Sequence, residues 1–266
     1  MSPTGVSLIG SVFAQAKSEN RALLIGYLPA GFPTLGESVA LVEAMCDGGV
    51  DLIEVGLPYS DPLMDGPVIQ QAVDQALTNG ATPLSVLTVV KAVADRGVVP
   101  VVMSYWNPIE QFGIDSFARE LRQAGGAGVI TPDLTIEEGQ PWIAAAGSQD
   151  LAPIFLVAPS STNERITQIA QVTQGFVYAA STMGVTGARD QVSDMAPELV
   201  ARVRESTDLP IAVGLGVSNG VQAAEIAKYA DGVIVGSAFV KAANAGGVGA
   251  VRELARELAG GVHRAR

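Results

Sequence analysis

Glu54 and Asp65 bracket the stretch of the chain richest in usable chemistry, Glu54-Val55-Gly56-Leu57-Pro58-Tyr59-Ser60-Asp61-Pro62-Leu63-Met64-Asp65-Gly66-Pro67. Glu54 lies inside an apolar run, Val50–Leu57, that reads as a buried strand. A carboxylate there is costly unless something pairs or uses it. Asp65 follows at the far end of a loop stiffened by proline. Two carboxylates on rigid backbone, in unlike surroundings, can divide acid and base roles at one pH. Side chains alternate along a strand, so Leu52, Glu54 and Gly56 share one face and the bulkier Ile53, Val55 and Leu57 the other. The bulkier set suits a helix layer, which turns Glu54 inward. The bland alternative is an ion pair with a buried arginine or lysine, but none of the strand-like runs contains either. Desolvation without a cation lifts a glutamate above its usual value of about 4.3 and lets it carry a proton near neutrality. Asp61, Asp65 and Asp133 each have two readings, as chemistry or as the helix caps that aspartates commonly form.

Glycine supplies a second signal. Ser181-Thr182-Met183-Gly184-Val185-Thr186-Gly187-Ala188-Arg189-Asp190 has the small residues of a closing lid. Val213-Gly214-Leu215-Gly216-Val217 ends one strand-like run, and Val235-Gly236-Ser237-Ala238 ends the last and enters a helix. Such turns let backbone N–H groups approach an anion, and a helix N-terminus adds favourable potential. Any one of them is equally a tight turn; three in consecutive units point to phosphate.

The elements that must hold these groups recur regularly. Apolar runs fall at Ala22–Leu28, Val50–Leu57, Val98–Tyr105, Gly128–Pro132, Ala152–Ala158, Gly175–Ser181, Pro210–Gly214 and Gly232–Gly236. Their near-continuous Val, Ile, Leu and Ala content fits strands covered on both faces. Helical spacing lies between them, as at Leu35–Cys46 and Leu84–Val93. Thr135-Ile136-Glu137-Glu138 has the form of a capping box opening the helix after strand four. Ser218 or Asn219 is placed to cap Val221–Tyr229. Eight such units in ~250 residues is the count of an α/β protein of the (β/α)8 TIM barrel type. An open doubly wound sheet is the alternative, disfavoured because no G-x-G-x-x-G follows the first strand. An extra N-terminal helix, Val6–Ala16, is placed to plug the barrel bottom. Residues 1–266 read as one barrel domain, with no linker or low-complexity tract. In a barrel, chemistry gathers where strands end, which nominates Tyr27, Glu54, Tyr105, Asn107, Thr131, Asp133, Tyr178, Ser181 and Ser237.

Composition closes off other classes. A net charge of −11, spread along the chain, argues against nucleic acid or an anionic membrane as partner. No apolar segment has the length of a membrane span, and no secretory signal is visible. The single cysteine, Cys46, makes no disulfide and reads as a small core residue, which fits a reducing cytoplasm. The single histidine, His263, sits in the tail, so histidine triads and histidine-ligated zinc lack their parts and no metal site is expected. Acid–base work falls to carboxylates and tyrosines.

The run Pro-Tyr-Ser-Asp-Pro-Leu-Met-Asp-Gly-Pro after a strand glutamate, followed in order by Gly-Val-Thr-Gly, Gly-Leu-Gly and Gly-Ser, resembles the tryptophan synthase alpha subunit family over nearly the whole chain. The resemblance implies a retro-aldol lyase that cleaves indole-3-glycerol phosphate to indole and glyceraldehyde 3-phosphate in tryptophan biosynthesis, without a cofactor of its own. It implies that Glu54 protonates indole C3 and takes the proton of the glycerol hydroxyl. Asp65 would hold the indole N–H and balance the indolenine charge, and Tyr178 would sit beside Glu54. Thr186 and Gly187 would belong to the lid, with Gly187, Gly216, Gly236 and Ser237 around the phosphate and Gly214 among the substrate-binding residues. It also implies a beta subunit carrying pyridoxal phosphate, in an alpha2beta2 assembly, docked against the Pro58–Asp65 loop and the lid. Two departures stand out. Leu215 replaces the phenylalanine frequent between the two glycines, and Thr182-Met183 stand where many members have arginine.

Two other readings compete. One is a different phosphate-binding barrel. A Schiff-base aldolase needs a strand-end lysine, and Lys17, Lys91, Lys228 and Lys241 all read as helical; an isomerase using two carboxylates stays possible. The other is a catalytically idle barrel that binds a phosphorylated ligand and regulates a partner, with no need for Glu54.

Overall fold

The structure is a computed structural model, and it describes residues 3–180, 195–214 and 216–263. The strand-like runs form β1 (Leu23–Pro29), β2 (Leu52–Gly56), β3 (Val99–Met103), β4 (Gly128–Ile130), β5 (Ala152–Ile154), β6 (Leu156–Val157), β7 (Val177–Ala180), β8 (Ile211–Gly214) and β9 (Gly232–Val235). Every pairing is parallel, in the order β5-β4-β3-β2-β1-β9-β8-β7-β6. The run expected as a fifth strand is therefore one stave in two pieces. β5 pairs with β4 and β6 with β7, which brings the two ends of the sheet together across Phe155. The flanking hydrogen bonds stretch there, to 3.3 Å from Thr131 N to Ile154 O and 3.4 Å from Tyr178 N to Phe155 O. The result is a nearly closed barrel of the (β/α)8 type.

Around it lie α1 (Gly5–Ser18), α2 (Leu35–Asp47), α3 (Pro67–Thr78), α4 (Pro83–Asp95), α5 (Trp106–Phe112), α6 (Ile114–Gln123), α7 (Gln140–Ser148), α8 (Asn163–Val172), α9 (Met195–Arg204), α10 (Gly220–Ala227) and α11 (Ser237–His263), the last interrupted at Gly246 and Gly247. Their starts are set locally. Thr4, Thr34, Thr162 and Asn219 each accept a backbone N–H of the first turn. The box at Thr135 behaves differently from the expectation. Thr135 Oγ1 does meet Glu138 N, at 3.4 Å, but this closes a separate turn, and α7 starts only at Gln140. Pro141 has no N–H to give to the carbonyl four residues back, so the turn cannot run on into the helix.

The interior is layered as strand alternation requires. Ile25, Leu52 and Val99 stand in one row, and Tyr27, Glu54 and Val101 in the next row toward the strand C-termini. Ile53, Val55 and Val102 face the helices and join the outer core. The N-terminal helix closes the bottom, as its sequence suggests. Ile9, Phe13 and Ala16 are buried among the inward residues Leu23, Ile25, Ile130, Ile154 and Phe176, and the Phe13 and Phe176 rings lie 5.7 Å apart. Beside the plug, Arg21 binds Asp51 through two bonds of 2.9 Å, and Asp51 accepts Leu24 N at 2.8 Å, which fastens the starts of β1 and β2. Cys46 is half-buried against the outer core, and burial pushes its thiol up to about 11, as befits a packing residue.

Because α1 is the floor beneath the functional rows, Phe13→Ala opens a cavity there. The expected loss is about 3–5 kcal/mol in urea unfolding, the usual range for a buried phenylalanine truncated to alanine.

Candidate active site

The strand C-termini enclose a cavity whose walls are mostly apolar: Leu57, Ile69, Val73, Met103, Leu156 and Ile234. The polar groups that converge on it are few. They are Glu54, Asp65, Tyr27, Tyr105, Tyr178, Ser104 and Ser237. No lysine, arginine or histidine lines it among the described residues.

Glu54 sits in mid-strand on β2, only 1% exposed, and neither carboxyl oxygen has a hydrogen-bond partner among the described residues. Burial alone pushes it up to about 8. The glutamate faces inward, as strand alternation predicts, and no basic side chain lines its cavity among the described residues. A carboxyl in that state reaches the cavity still protonated, ready to give a proton away.

Asp65 reaches the cavity from the β2–α3 loop. It is not a cap: Gly66 occupies the cap position of α3 without a side-chain bond, and Pro67 starts the helix. Instead Tyr105 holds the loop, accepting Met64 N at 2.9 Å and hydrogen-bonding the Asp65 carboxylate. Gln70 Nε2 donates to the Asp65 carbonyl at 2.9 Å. Burial pushes Asp65 above its ordinary value, and the Tyr105 bond pulls it back. The other two aspartates turn away from the cavity, and only one of them is a cap. Asp133 caps α5, taking Trp106 N on both oxygens at 2.9 and 3.1 Å. Asp61 is exposed and bonded to the neighbouring Ser60 hydroxyl.

Tyr178 points inward from β7, with its hydroxyl directly over Gly214. A Cβ on Gly214 would lie 2.7 Å from that oxygen. Gly214 therefore makes room for a tyrosine, a role its sequence did not announce. Gly216 turns at a φ of +65, which favours glycine. Gly236 leads into Ser237 at the start of α11, where the first intrahelical bond runs from Phe239 N to Gly236 O at 2.9 Å. The N–H groups ahead of that bond and the positive end of α11 face the cavity that Ser237 lines. Thr186 and Gly187, with Ser181, Thr182, Met183, Arg189 and Leu215, lie outside the described residues.

Of the strand-end residues nominated by sequence, Tyr27, Glu54, Tyr105, Tyr178 and Ser237 come together here. Thr131 and Asp133 instead face a neighbouring crevice with Phe155, Ser161 and Arg165, and Asn107 is exposed on α5. Sequence reasoning left out Met64, Met103, Leu156, Ile234, Ile69 and Val73. The last two carry a usable signal, since i,i+4 spacing puts both on the inner face of α3. Among the described residues, no cluster of three or more His, Cys, Asp or Glu side chains is placed to hold a metal ion.

Comparisons with known proteins find relatives along nearly the whole chain. The tryptophan synthase alpha chain family profile matches residues 13–260. The tryptophan synthase alpha chain of Mycobacteroides abscessus is 59% identical over 254 residues, which is 96% of this chain and 97% of the relative. That of Thermobifida fusca is 58% identical over 260 residues, 95% and 96% of the two chains. Among solved structures, Mycobacterium tuberculosis tryptophan synthase superposes with a TM-score of 0.93 at 53% identity, covering 96% of this chain and 98% of that one. The alpha chain from Legionella pneumophila gives 0.83 at 30% identity, covering 96% and 97%.

The state of Glu54 has a thermodynamic signature. Its folded value of about 8 lies above the ordinary 4.5, so folding favours the proton-bound form. That stability is complete below the ordinary value and is lost as pH rises through about 8. Glu54→Gln removes the titration. In urea unfolding, the variant is expected to gain on the wild type by a few kcal/mol, on the order of magnitude that linkage gives, between about pH 5 and pH 9. A difference flat across that range would show that Glu54 is not held neutral.

Proposed function

The chain belongs to the tryptophan synthase alpha chain family, and we propose how its own residues carry the reaction. It is a lyase of tryptophan biosynthesis that cleaves indole-3-glycerol phosphate, by a retro-aldol step, to indole and glyceraldehyde 3-phosphate.

Breaking the bond between indole C3 and the glycerol chain requires the ring to accept an electron pair. Protonating C3 makes it an acceptor. Glu54 is the donor in this reading, supported by its neutrality and by its lack of any competing partner. The proton it gives creates an indolenine cation, whose charge rests largely on the ring nitrogen. Asp65, ionised and steadied by Tyr105, holds that N–H and offsets the charge. Glu54, now a carboxylate, takes the proton of the hydroxyl on the carbon bonded to C3. The C–C bond breaks, its electrons return to the ring, and the aldehyde forms. Glu54 ends the cycle protonated again, so the protons balance without a cofactor. The apolar walls keep water from the charged intermediate and accept the flat indole rings.

The phosphate falls to Gly214, Gly216, Gly236 and Ser237, with Thr186 and Gly187 of the lid and Tyr178 against the substrate. This assignment is supported by the α11 N-terminus and by the absence of lysine or arginine among the described lining residues, which leaves backbone N–H groups to carry the anion.

The same reading gives the chain a beta subunit in an alpha2beta2 assembly, with pyridoxal phosphate confined to that partner, a cytoplasmic setting, and one barrel domain over residues 1–266. For the partner, its support is the exposure of large apolar side chains among the described residues, above all Leu63, which stands out in the β2–α3 loop that also carries Asp65. None of the described helices is long and apolar enough to cross a membrane.

The test is indole release from indole-3-glycerol phosphate. Glu54→Gln is expected to lose at least about a hundredfold in kcat, the scale of general acid–base catalysis. Asp65→Asn is expected to lose a similar factor through its electrostatic role, about 10²–10³-fold. Wild-type activity in either variant removes that residue from the mechanism. Leu63→Asp is expected to keep the rate of the isolated chain while weakening stimulation by added beta subunit by about tenfold, one unfavourable interface contact's worth.

A further inference from the structure

The proposed mechanism leaves Glu54 with a problem at mid-cycle. Once its proton is on the substrate, a carboxylate remains in an apolar-walled cavity where the described residues supply no cation, and in the resting protein neither oxygen has a donor among them. An anion so placed needs hydrogen bonds if the intermediate is to persist.

The groups facing Glu54 can be enumerated element by element. From β1 comes Tyr27, its direct partner in the strand register. From β3 comes Val101, which has nothing to give, with Tyr105 farther along that stave and turned to Met64 and Asp65. From β7 comes Tyr178. The β2–α3 loop brings Asp65, itself an acceptor. Neither Tyr27 nor Tyr178 has a hydrogen-bond partner among the described residues, and the charges of both Glu54 and Asp65 are felt at both hydroxyls.

Tyr27 is the more tightly placed. Its ring lies across the ends of two strands that stop in glycine. A Cβ on Gly56 would be 2.4 Å from its hydroxyl oxygen, and a Cβ on Gly236 would be 3.3 Å from its ring. Gly56 follows Glu54 by two residues and faces the same way, so the hydroxyl lies one inward position above the carboxyl that must change charge. A phenol wedged in this way keeps its oxygen fixed, so the Glu54 carboxyl, free to turn about its own side-chain torsions, is the group that swings to the hydroxyl once it carries a charge.

We propose that Tyr27 is a positioning residue for the lyase reaction: its hydroxyl donates a hydrogen bond to the Glu54 carboxylate after proton transfer, without giving up its own proton. Tyr178 shares the task from the other side. The inference rests on the catalytic role given to Glu54, and it deepens that role by naming the group that makes the ionised half of the cycle tolerable.

Tyr27→Phe removes the oxygen and leaves the ring packed over Gly56 and Gly236, so the fold is kept. Two readouts separate this inference from the functional reading. The first is the titration of Glu54 in the free protein, followed by carbon NMR of carboxyl-labelled glutamate with Glu54→Gln to assign the signal. Loss of a donor to the anion is expected to move the Glu54 midpoint upward by about half a unit to one unit. The second is the pH profile of indole release. The kcat of Tyr27→Phe is expected to fall about three- to tenfold, matching that shift, with KM little changed. A midpoint that stays put or moves down overturns the proposal, whatever the activity. A midpoint shifted in Tyr27→Phe, beside a wild type that turns over no substrate, would keep the Tyr27–Glu54 coupling and sink the lyase assignment instead.

Discussion

Everything at the mouth of this barrel depends on one carboxyl being denied water without being given a cation. A glutamate at the centre of a parallel strand is ordinarily a defect, and evolution could neutralise it cheaply with an arginine across the barrel. Such a pair would fix Glu54 as an anion and end its use as an acid. The described cavity lining holds no basic side chain, and burial accounts for the whole rise of Glu54 to about 8. The chain thus accepts a less stable folded state above that pH in exchange for a proton available near neutrality, the kind of local sacrifice that functional sites show.

The second carboxylate is separated from the first by chemistry as much as by distance. Asp65 is also partly buried and also raised, yet it hangs from a loop and accepts a hydrogen bond from Tyr105. Tyr105 in turn takes Met64 N, so one phenol both orders the loop and favours the ionised form of its end residue. Two carboxyls of nearly equal intrinsic acidity come to differ because one is bare on a strand and the other is solvated by a tyrosine. That contrast is what the proposed division into acid and counter-charge rests on.

The inward face of Glu54 could be read from the sequence because strand alternation is strict and the flanking residues are strongly asymmetric in size, Ile53 and Val55 against Leu52 and Gly56. The barrel could be read because its staves are buried on both faces and come as uninterrupted apolar runs. Other features had no local signature. The split stave at Phe155 arises from closure, a property of the whole ring. The delayed start of α7 arises because Pro141 overrules a sound capping box several residues earlier. Asp133 and Asp65 look alike in sequence, each preceding a helix, and only the fold shows that Asp133 caps a different helix, α5, while Gly66 displaces Asp65 from the cap of α3. The glycines were half legible. Their clustering at strand ends pointed to an anion, but Gly214 and Gly56 are small because tyrosine hydroxyls lie on them, and that information is carried by neighbouring staves.

This last point changes what the glycine-ended strands are for. An anion cradle needs bare backbone, and an indole pocket needs flat walls. At the ends of β2, β8 and β9 the missing side chains leave space that a tyrosine ring or hydroxyl fills, Tyr27 over Gly56 and Gly236 and Tyr178 over Gly214, and in the proposed reading the same bare backbone serves the anion. A substitution such as Gly56→Ala would therefore act through Tyr27 before it touched any substrate. The barrel's inner rows make this coupling possible. Tyr27 and Glu54 are paired by strand register, the row beneath them is filled by Ile25, Leu52 and Val99, and α1 closes the floor. With no slack below, the top row cannot sink to relieve a clash. Close packing, more than any single bond, keeps an unpaired acid unpaired.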